Sequence, residues 1–325
     1  MTKYFLGIDV GSSKTHALIT DQAGNALGFG ESGPGNHEVV GYSGLVGALT
    51  MAVDEVLASA DLEKSQISGV GFGISGYDWP SEKAPIFQSI ATLGFDAPIE
   101  VVNDTILGLL AGSSEGWGIA IVSGSGCNCR GWDPEHRQEG RVTGDGWAMG
   151  EGAGASDLVM KAKQAVAHEW TRRGPPTQLT TAFLKYTNSS SLEEMLEGLV
   201  IETIRLDARA APLVFQAANA GDLVAIEVIR WAGIELGELA KCVIRQLAFE
   251  GLEFDVVLIG SLFDGGPLLI DPTRQTIQAY APGARLVRLM TPPVTGAVLL
   301  GMEAAGIKPS NPVRRNICGA RNGVG

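Results

Sequence analysis

The sequence is short of charged residues, of cysteines and of long apolar runs. Charged residues make up 18% of its 325 positions and the net charge is −12, which argues against a nucleic-acid or anionic-membrane surface because both need basic groups. The four cysteines show no paired spacing typical of a zinc site. Nor is there a run of about 18 apolar residues, the length that a membrane-spanning helix needs.

A strand-like run begins almost at Lys3, so we expect no signal peptide. Reduced thiols and a cytoplasmic location are the corresponding expectations. Hydrophobic residues make up 45% of the chain, which predicts ordered domains, and the length fits two domains of about 100–200 residues each. The 44 glycines cluster at the ends of apolar runs, where tight turns need them.

One arrangement of strand, small-residue turn and return strand occurs twice. The first unit has strands over 3–10, 14–20, 26–30, 70–74 and 99–102, with helices over 42–60, 82–93 and 104–112. The second unit has strands over 117–123 and 255–259 and helices over 152–171, 192–205, 207–219, 222–249 and 293–305. The repetition predicts an α/β fold with two related lobes, 1–115 and 116–325, facing each other across a cleft.

The first turn carries groups suited to a polyphosphate. Glycine lets backbone N–H groups approach phosphate oxygens, and hydroxyls and a lysine add donors and positive charge. The residues concerned are Gly11, Ser12, Ser13, Lys14 and Thr15, with Asp9 placed to hold Mg²⁺ through water. The turn is not a Walker A loop, because a strand follows it. Taken alone, it also fits an ordinary β-turn with an aspartate at its edge.

The second unit repeats this chemistry in a turn that contains Ser125 and Gly126. Two such turns at equivalent places could hold one phosphate chain from both sides, which neither turn indicates alone. We therefore predict that the pair binds the phosphates of a nucleotide.

Asn103 and Asp104 follow an apolar strand and open a helix. One interpretation is a helix N-cap, which both residue types favour. The other is a general base, because a carboxylate there could accept the proton of a hydroxyl that attacks a γ-phosphate. Both can hold at once.

Three loops carry candidate contacts for a small polar substrate. Loops at strand ends are where α/β proteins place ligand contacts. The side chains are Asn36 and His37 after the third strand, Asp78 and Trp79 after the fourth, and Gly146, Trp147 and Glu151 ahead of a helix. Each position also fits an ordinary turn or helix-start residue.

Seven motifs occur in an order that resembles the N-acetylglucosamine kinase and BadF/BadG-type ATPase family, within the actin–hexokinase–Hsp70 superfamily. They are Asp9-x-Gly-Ser-Ser-Lys-Thr, Gly35-Asn36-His37, Gly73-Ile-Ser-Gly-x-Asp78, Asn103-Asp104, Gly124-Ser-Gly-Cys-Asn-Cys-Arg130, Gly146-Trp147-x-Met-Gly150 and Val257-Leu-Ile-Gly-Ser261. The likeness runs from about residue 3 to about residue 303. Single motifs are loose, but seven in order are specific.

The resemblance implies two RNase H-like lobes with ATP and Mg²⁺ in the cleft. It makes Asp104 the catalytic base and Gly260-Ser261 the adenosine segment. It places the sugar at Asn36, Asn128, Gly146 and Trp147, and we add His37, Asp78, Asn103 and Glu151 to the sugar site. A homodimer would be ordinary for this family.

Three positions depart from the family pattern. Glu151 stands where the family has a sugar-binding aspartate, Ser125 where threonine is usual and Cys127 where serine is common. The glutamate puts the identity of the sugar in doubt more than the kinase activity.

The sequence therefore predicts a kinase that transfers the γ-phosphoryl group of ATP to an amino sugar, at the 6-hydroxyl of N-acetylglucosamine or glucosamine. One alternative is an ATPase that activates a partner reductase or dehydratase. Such activators hold an iron–sulfur cluster between subunits, whereas the Cys127-Asn128-Cys129 segment lies in the phosphate turn. The other alternative is a non-catalytic sugar sensor.

Overall fold

The computed structural model describes residues 2–319, which form two five-stranded mixed sheets with helices around them. The first sheet has the order β3-β2-β1-β4-β5 and contains β1 (Tyr4–Val10), β2 (Thr15–Asp21), β3 (Ala26–Ser32), β4 (Ile67–Ile74) and β5 (Ile99–Asn103). The second has the order β10-β9-β6-β7-β8 and contains β6 (Gly118–Ser123), β7 (Cys127–Trp132), β8 (Glu139–Arg141), β9 (Phe254–Ile259) and β10 (Ala284–Arg288).

The two sheets have the same topology. In each, the first three strands form an antiparallel meander, and the last two strands run parallel to the first. This repetition confirms the predicted α/β fold with two RNase H-like lobes. The division at 115/116 falls between the two sheets, and as a domain boundary it stays a prediction.

The helices follow the strands along the chain. They are α1 (His37–Ala60), α2 (Lys83–Ala91), α3 (Asp104–Gly112), α4 (Ala155–Trp170), α5 (Gln178–Thr187), α6 (Leu192–Val200), α7 (Ala211–Asn219), α8 (Leu223–Leu247), α9 (Pro267–Tyr280), α10 (Val294–Ala304) and α11 (Asn311–Gly319). The predicted helix over 192–205 is wrong in its second half, because α6 ends at Val200 and an irregular segment follows.

Several elements were not predicted, and α9 shows why. Its buried side consists of Leu269, Thr273 and Ile277, so the middle position of its apolar stripe is a threonine. The Thr273 hydroxyl donates to the carbonyl of Leu269 at 2.9 Å, which makes its burial tolerable. A polar residue therefore interrupts the apolar stripe of α9 in the sequence, although this face of the helix is buried.

Helices α3 and α10 lie between the two sheets and share one apolar core with both of them. Glycines allow the close approach. A Cβ atom at Gly71 of β4 would lie 2.1 Å from the carbonyl oxygen of Ala297 in α10, and one at Gly108 of α3 would lie 2.1 Å from Cδ1 of Ile259 in β9. The first sheet is therefore completed by a helix that comes almost at the end of the chain.

Helix α1 is long and apolar enough to cross a membrane by length and composition alone. Its buried side chains, among them Leu49, Val53 and Val56, belong to the core that covers the other face of the first sheet. The helix approaches β3 closely, since a Cβ atom at Gly30 would lie 2.4 Å from the Ala52 carbonyl oxygen. Its apolar composition is explained by packing in this core.

Candidate active site

The carboxyl ends of the parallel strands β1, β4 and β5 lie side by side at one edge of the first sheet. Asp9, Ser75 and Asp104 stand at or just after these three ends. Side chains alternate between the faces of a strand, and Phe5 of β1 points into the core between the sheets while Leu6 and Ile8 point toward α1. Asp9 therefore lies on the face that is turned toward the second lobe.

Asp104 is the first residue of α3, directly after the N-cap Asn103. Burial, and after it the negative charge of Asp78, raises the pKa of the Asp104 carboxyl to about 6. The Arg130 charge and a hydrogen bond from the Ser75 hydroxyl act in the opposite direction. A carboxyl with this pKa is mostly ionised at neutral pH and more basic than an ordinary aspartate, as a general base requires.

Asp9 lies close enough to Asp104 for their charges to interact. Burial, and then the charge of Asp104, raises the pKa of Asp9 to about 7. A divalent cation would offset this repulsion, and carboxylate oxygens are ligands that Mg²⁺ prefers. Within residues 2–319 no three Asp, Glu, His or Cys side chains converge to form a metal cage. The neighbouring carboxyls of Asp9 and Asp104 fit an Mg²⁺ ion whose other ligands would be substrate phosphates and water.

The first turn presents three of its predicted phosphate contacts to solvent, Ser12, Ser13 and Lys14. The turn is closed by the Gly11 amide, which donates to the Lys14 carbonyl at 2.9 Å. The Lys14 ammonium donates to Glu31 of β3 at 2.6 Å, although its side chain is 58% exposed. Thr15 is fully buried, and its hydroxyl has no partner among the described residues. The two serines and Lys14 are thus the accessible side-chain donors of this turn.

The second turn packs on the start of α4. The Ala155 amide donates to the Gly124 carbonyl at 2.8 Å, and a Cβ atom at Gly154 would lie 2.4 Å from the Cα atom of Gly126. Ser125 and Gly126 are exposed. The positive end of the α4 dipole therefore lies beside the turn, which favours an anion there.

The Gly260-Ser261 segment adjoins the second turn. Gly260 has a φ of +102°, and a Cβ atom on it would lie 2.2 Å from the carbonyl oxygen of Ser123. Arg288 donates to the Gly260 carbonyl at 2.8 Å and to Asp264 at 2.9 Å. Glycine is required at this position, and the two segments that we predicted to bind one nucleotide are neighbours.

Asn36 connects two of the loops at the sheet edge. Its side-chain nitrogen lies 3.1 Å from the Ser12 hydroxyl and 3.5 Å from that of Ser75, and its oxygen caps α1 by accepting the Glu38 amide. The residue is 5% exposed. It therefore holds the first turn against the loop that follows β4, beside Asp104.

An ion-pair cluster formed by Asp78, Arg130 and Glu139 joins the lobes. Arg130 of β7 donates to the Asp78 carboxylate at 2.5 Å, to the Tyr77 carbonyl at 3.1 Å and to Glu139. The Asn103 side chain also reaches Asp78, at 3.4 Å. Asp78, predicted as a sugar contact, is thus held by a buried guanidinium of the other lobe.

His37 and Asn128 lie beside this cluster. His37 is buried, stacks on Tyr42 and has its Nε2 atom 3.5 Å from Glu82. Glu82 in turn accepts hydrogen bonds from the backbone amides of Asp78 and Trp79 at 2.8 and 2.7 Å. His37 therefore stabilises the loop that contains Asp78 indirectly, through Glu82. The Asn128 oxygen accepts the amide of Cys129.

The loop over 143–151 is organised by Glu151. Its carboxylate accepts the Thr143 amide and hydroxyl, both at 2.7 Å, and the Gly144 amide at 2.9 Å. A Cβ atom at Gly144 would lie 3.1 Å from the Asp78 carboxylate. Glu151 therefore shapes a loop that touches Asp78. Trp147 lies in a short 3₁₀ turn that begins at Gly146 and is 46% exposed. The Lys161 ammonium lies over its ring, and Trp231 contacts it edge to face.

A family model supplies the deciding comparison. The model of the BadF/BadG/BcrA/BcrD ATPase family matches residues 6–301. The chain belongs to this family. The match confirms the resemblance noted in the sequence and the predicted class of ATP-dependent enzyme.

Two characterised relatives of this family member match along nearly their whole length. One is the N-acetylmuramic acid/N-acetylglucosamine kinase of Clostridium acetobutylicum, 27% identical over 300 residues, which cover 92% of this chain and 98% of the relative. The other is the N-acetyl-D-glucosamine kinase of Dictyostelium discoideum, 26% identical over 320 residues, with the same two coverages.

Solved structures show the same fold as this BadF/BadG/BcrA/BcrD family member. A candidate N-acetylglucosamine kinase from Chromobacterium violaceum has a TM-score of 0.68 and 22% identity, covering 92% of this chain and 98% of its own. A ROK-family glucokinase from Streptomyces griseus, in complex with glucose and AMPPNP, has a TM-score of 0.53 and 20% identity, covering 98% and 100%.

Some residues of this family member's site were missed from the sequence. Ser75 was noted only as part of a motif, although its hydroxyl lies near Asp104 and lowers the pKa of that carboxyl. Arg130 was noted only as the end of a motif, and Glu82 and Arg141 not at all. The sequence feature that could have indicated the role of Arg130 is an arginine in a strand of mostly small or apolar residues. Such a charge needs partners when it is buried.

The cysteines of the second turn are poorly placed for an iron–sulfur cluster. The Cys127 thiol donates to the Glu151 carbonyl at 2.9 Å, and burial raises its pKa to about 12. Cys129 is fully buried, and burial raises its pKa also. Cluster ligation needs thiolates, so this geometry does not favour the activator alternative.

Proposed function

We propose that this protein is an ATP-dependent kinase that phosphorylates an amino sugar, with the 6-hydroxyl of N-acetylglucosamine or glucosamine as the first candidate. The observation that carries the proposal is the placement of Asp104. It is a partly buried carboxyl with a pKa of about 6, at the start of α3 and close to Asp9 and the first turn. The names of the two characterised relatives support an amino sugar as the acceptor.

In the proposed reaction Asp104 accepts the proton of the sugar hydroxyl. The hydroxyl oxygen forms a bond to the γ-phosphorus while the bond between that phosphorus and the oxygen of ADP breaks. The Ser75 hydroxyl, which lowers the pKa of Asp104, would favour the ionised carboxylate. Positioning and charge stabilisation dominate phosphoryl transfer, so the accuracy of this placement determines the rate.

The nucleotide is assigned to the three small-residue turns. Ser12 and Ser13 would bind phosphate from the first lobe, in the turn that the Gly11 amide closes, and Ser125 and Gly126 would bind it from the second. Gly260 and Ser261 would adjoin the adenosine. Mg²⁺ bound near Asp9 would neutralise charge on the phosphates. Lys14, which is exposed beside Glu31, would add positive charge, and Thr15, buried between Val10 and Ser32, would support the turn.

The sugar is assigned to the cleft beside Asp104. Asn36, Asp78 and Asn103 form one side of this site, and Asn128 with the loop that contains Gly146 and Trp147 forms the other. We assign Glu151 the role of shaping this loop, and His37 that of supporting the Asp78 loop. In this assignment Glu151 does not take over the sugar contact of the aspartate that the family pattern has at this position. It shapes the loop instead.

The test is ADP release from Mg-ATP with N-acetylglucosamine, glucosamine, N-acetylmuramic acid, glucose, N-acetylmannosamine or no sugar. We expect strong stimulation by an amino sugar and a product phosphate ester at O6, assigned by NMR. ATP hydrolysis that is equal with and without every sugar would contradict the kinase and favour the activator alternative. The predicted homodimer and cytoplasmic location stay predictions, which sedimentation and fractionation would test.

A further inference from the structure

Trp79 of the first lobe and Arg141 of the second lobe form a contact between the lobes that the roles assigned above do not use. The Arg141 guanidinium lies over the ring of Trp79, 5.1 Å from its centroid, and donates a hydrogen bond to the carbonyl of Asp78. Two cavities adjoin the pair, since both residues line one of about 420 Å³ and another of about 440 Å³. We call this contact the Trp79–Arg141 bridge.

On the second lobe, the backbone of Arg141 is fixed by α8. Its amide donates to the side-chain oxygen of Gln246 at 2.9 Å, and its carbonyl accepts a hydrogen bond from the side-chain nitrogen of the same residue, also at 2.9 Å. Arg141 also pairs with Arg130 in the ladder between β7 and β8. Because both α8 and the second sheet hold its backbone, Arg141 follows the movements of the second lobe.

On the first lobe, the bridge acts on the loop that contains Asp78. Two residues of the same lobe also hold this loop. Glu82 accepts the backbone amides of Asp78 and Trp79, and the Asn103 side chain lies 3.3 Å from the Tyr77 carbonyl. Trp79 is 48% exposed, so about half of its surface is open to solvent. The contacts from the second lobe therefore add to a loop that is only partly packed on its own lobe.

The two arginines of the second lobe hold different atoms of this loop. Arg130 binds the Asp78 carboxylate at 2.5 Å and the Tyr77 carbonyl at 3.1 Å, whereas Arg141 binds the Asp78 carbonyl and the Trp79 ring. Loss of the Arg141 guanidinium would therefore loosen the backbone of the loop and leave the charge of Asp78 paired. The two arginines can thus be separated by mutation.

We propose that Arg141 is a positioning residue for the sugar, and that it acts through the 77–79 loop. With the lobes together, the Trp79–Arg141 bridge fixes the backbone of Asp78, and the carboxylate of Asp78 then stands at the site assigned to the sugar. When the lobes separate, the loop keeps only its contacts within the first lobe. Sugar binding and lobe closure favour the same position of the loop, so each stabilises the other. This inference rests on the proposed function and adds a residue outside the sugar site that determines affinity for the sugar.

The first experiment measures kcat and both KM values with the best acceptor of the sugar panel above. In Arg141→Gln we expect KM for the sugar to rise by about tenfold, the scale of one hydrogen bond from a charged donor. We expect kcat and KM for ATP to change by less than about twofold, since the contacts of Arg141 described above involve neither Asp104 nor the phosphate turns. Arg141→Lys keeps the charge but not the planar group and should be intermediate. The control Arg137→Gln, 77% exposed in the turn before β8, should change none of these values.

Trp79 supplies a second pair of variants. Trp79→Phe keeps an aromatic ring under the guanidinium and should leave KM for the sugar within about twofold of the wild type, whereas Trp79→Leu should raise it. Trp79→Leu combined with Arg141→Gln should raise KM by less than the product of the two single effects, because both changes remove one contact. Full multiplication of the two effects would show that the residues act independently and would overturn the bridge.

Hydrogen exchange tests the bridge without any ligand. The amides of Asp78 and Trp79 are bonded to Glu82, so their exchange reports on the order of the loop. We expect Arg141→Gln to accelerate exchange several-fold in the segment 77–82 and to leave β1 unchanged, whereas Arg137→Gln should alter neither segment. Equal exchange of the segment 77–82 in the wild type and in Arg141→Gln would refute the positioning role.

These experiments distinguish failure of the bridge from failure of the proposed function. If KM for the sugar is unchanged in Arg141→Gln, or if kcat falls while KM stays constant, the positioning role is wrong and the kinase stays in place. If the wild type phosphorylates no sugar, the proposed function fails first, and with it the role of the bridge in sugar binding. Hydrogen exchange then decides the bridge itself, because faster exchange in Arg141→Gln supports it and equal exchange contradicts it.

Discussion

Replacing Arg130 by methionine would remove the guanidinium that joins the two lobes. The side chain of Arg130 is 3% exposed, and those of its partners Asp78 and Glu139 are 14% and 32% exposed. Removing one partner of a fully buried ion pair costs about 3–5 kcal/mol, because the other charge is left buried without compensation. Since both acids keep some contact with water, we expect a loss of about 2–3 kcal/mol in the free energy of unfolding.

Urea unfolding near neutral pH, followed by tryptophan fluorescence, measures this loss. Trp132 of β7 lies in the core between the sheets and reports on that region. Arg137→Met is the matched control, and we expect a change below about 0.5 kcal/mol because its side chain is exposed. Adding Asp78→Asn to Arg130→Met should cost little further, since the more buried of the two carboxylates left unpaired is then neutral. A loss below about 1 kcal/mol for Arg130→Met, or full additivity of the two changes, would refute the reasoning.

Three further changes test the site. Asp104→Asn should lower kcat by about 10²–10⁴-fold. Because the base has a pKa of about 6, the kcat/KM of the wild type should also fall when the pH is lowered below that value. The folded-state pKa of Asp9 is raised to about 7, so its ionisation costs stability that is fully restored only below its unfolded pKa. Asp9→Asn should therefore raise the urea midpoint above pH 7 and lose that gain near the unfolded pKa, and a constant gain would contradict this. Gly260→Ala places a Cβ atom against Ser123 and should cost about 1–3 kcal/mol and raise KM for ATP more than KM for the sugar.

The parts of the fold and site that the sequence predicted are those specified by local patterns. Strands such as β1 are nearly continuous apolar runs with a polar residue near the end, which located Asp9. A helix start after an apolar strand located Asp104, because N-cap preferences act over a few residues. The repeated Gly/Ser turns gave the two lobes, since the same topology uses the same turns twice.

The remaining features depend on residues that are distant in sequence. Arg130 could not be assigned because its partners Tyr77 and Asp78 lie in the other lobe, more than fifty residues away. Thr15 carries a suitable hydroxyl for phosphate, but strand alternation turns it into the core. Glu151 matched the expected position of a sugar contact, yet its carboxylate binds the loop beside it. Residue type indicates what a group can do, and tertiary packing decides which group it meets.

The position of α10 has a consequence for how the protein is made. β1 and β4 leave the ribosome early, but the surface of these strands around Gly7, Gly69 and Gly71 is covered by residues 294–304. During translation the first sheet must remain open, with apolar surface unprotected, until almost the whole chain has been synthesised. A fragment of residues 1–115 should therefore remain aggregation-prone when expressed alone and become soluble when a peptide corresponding to α10 is supplied. Recovery of a soluble, protease-resistant fragment without that peptide would show that the early strands protect themselves.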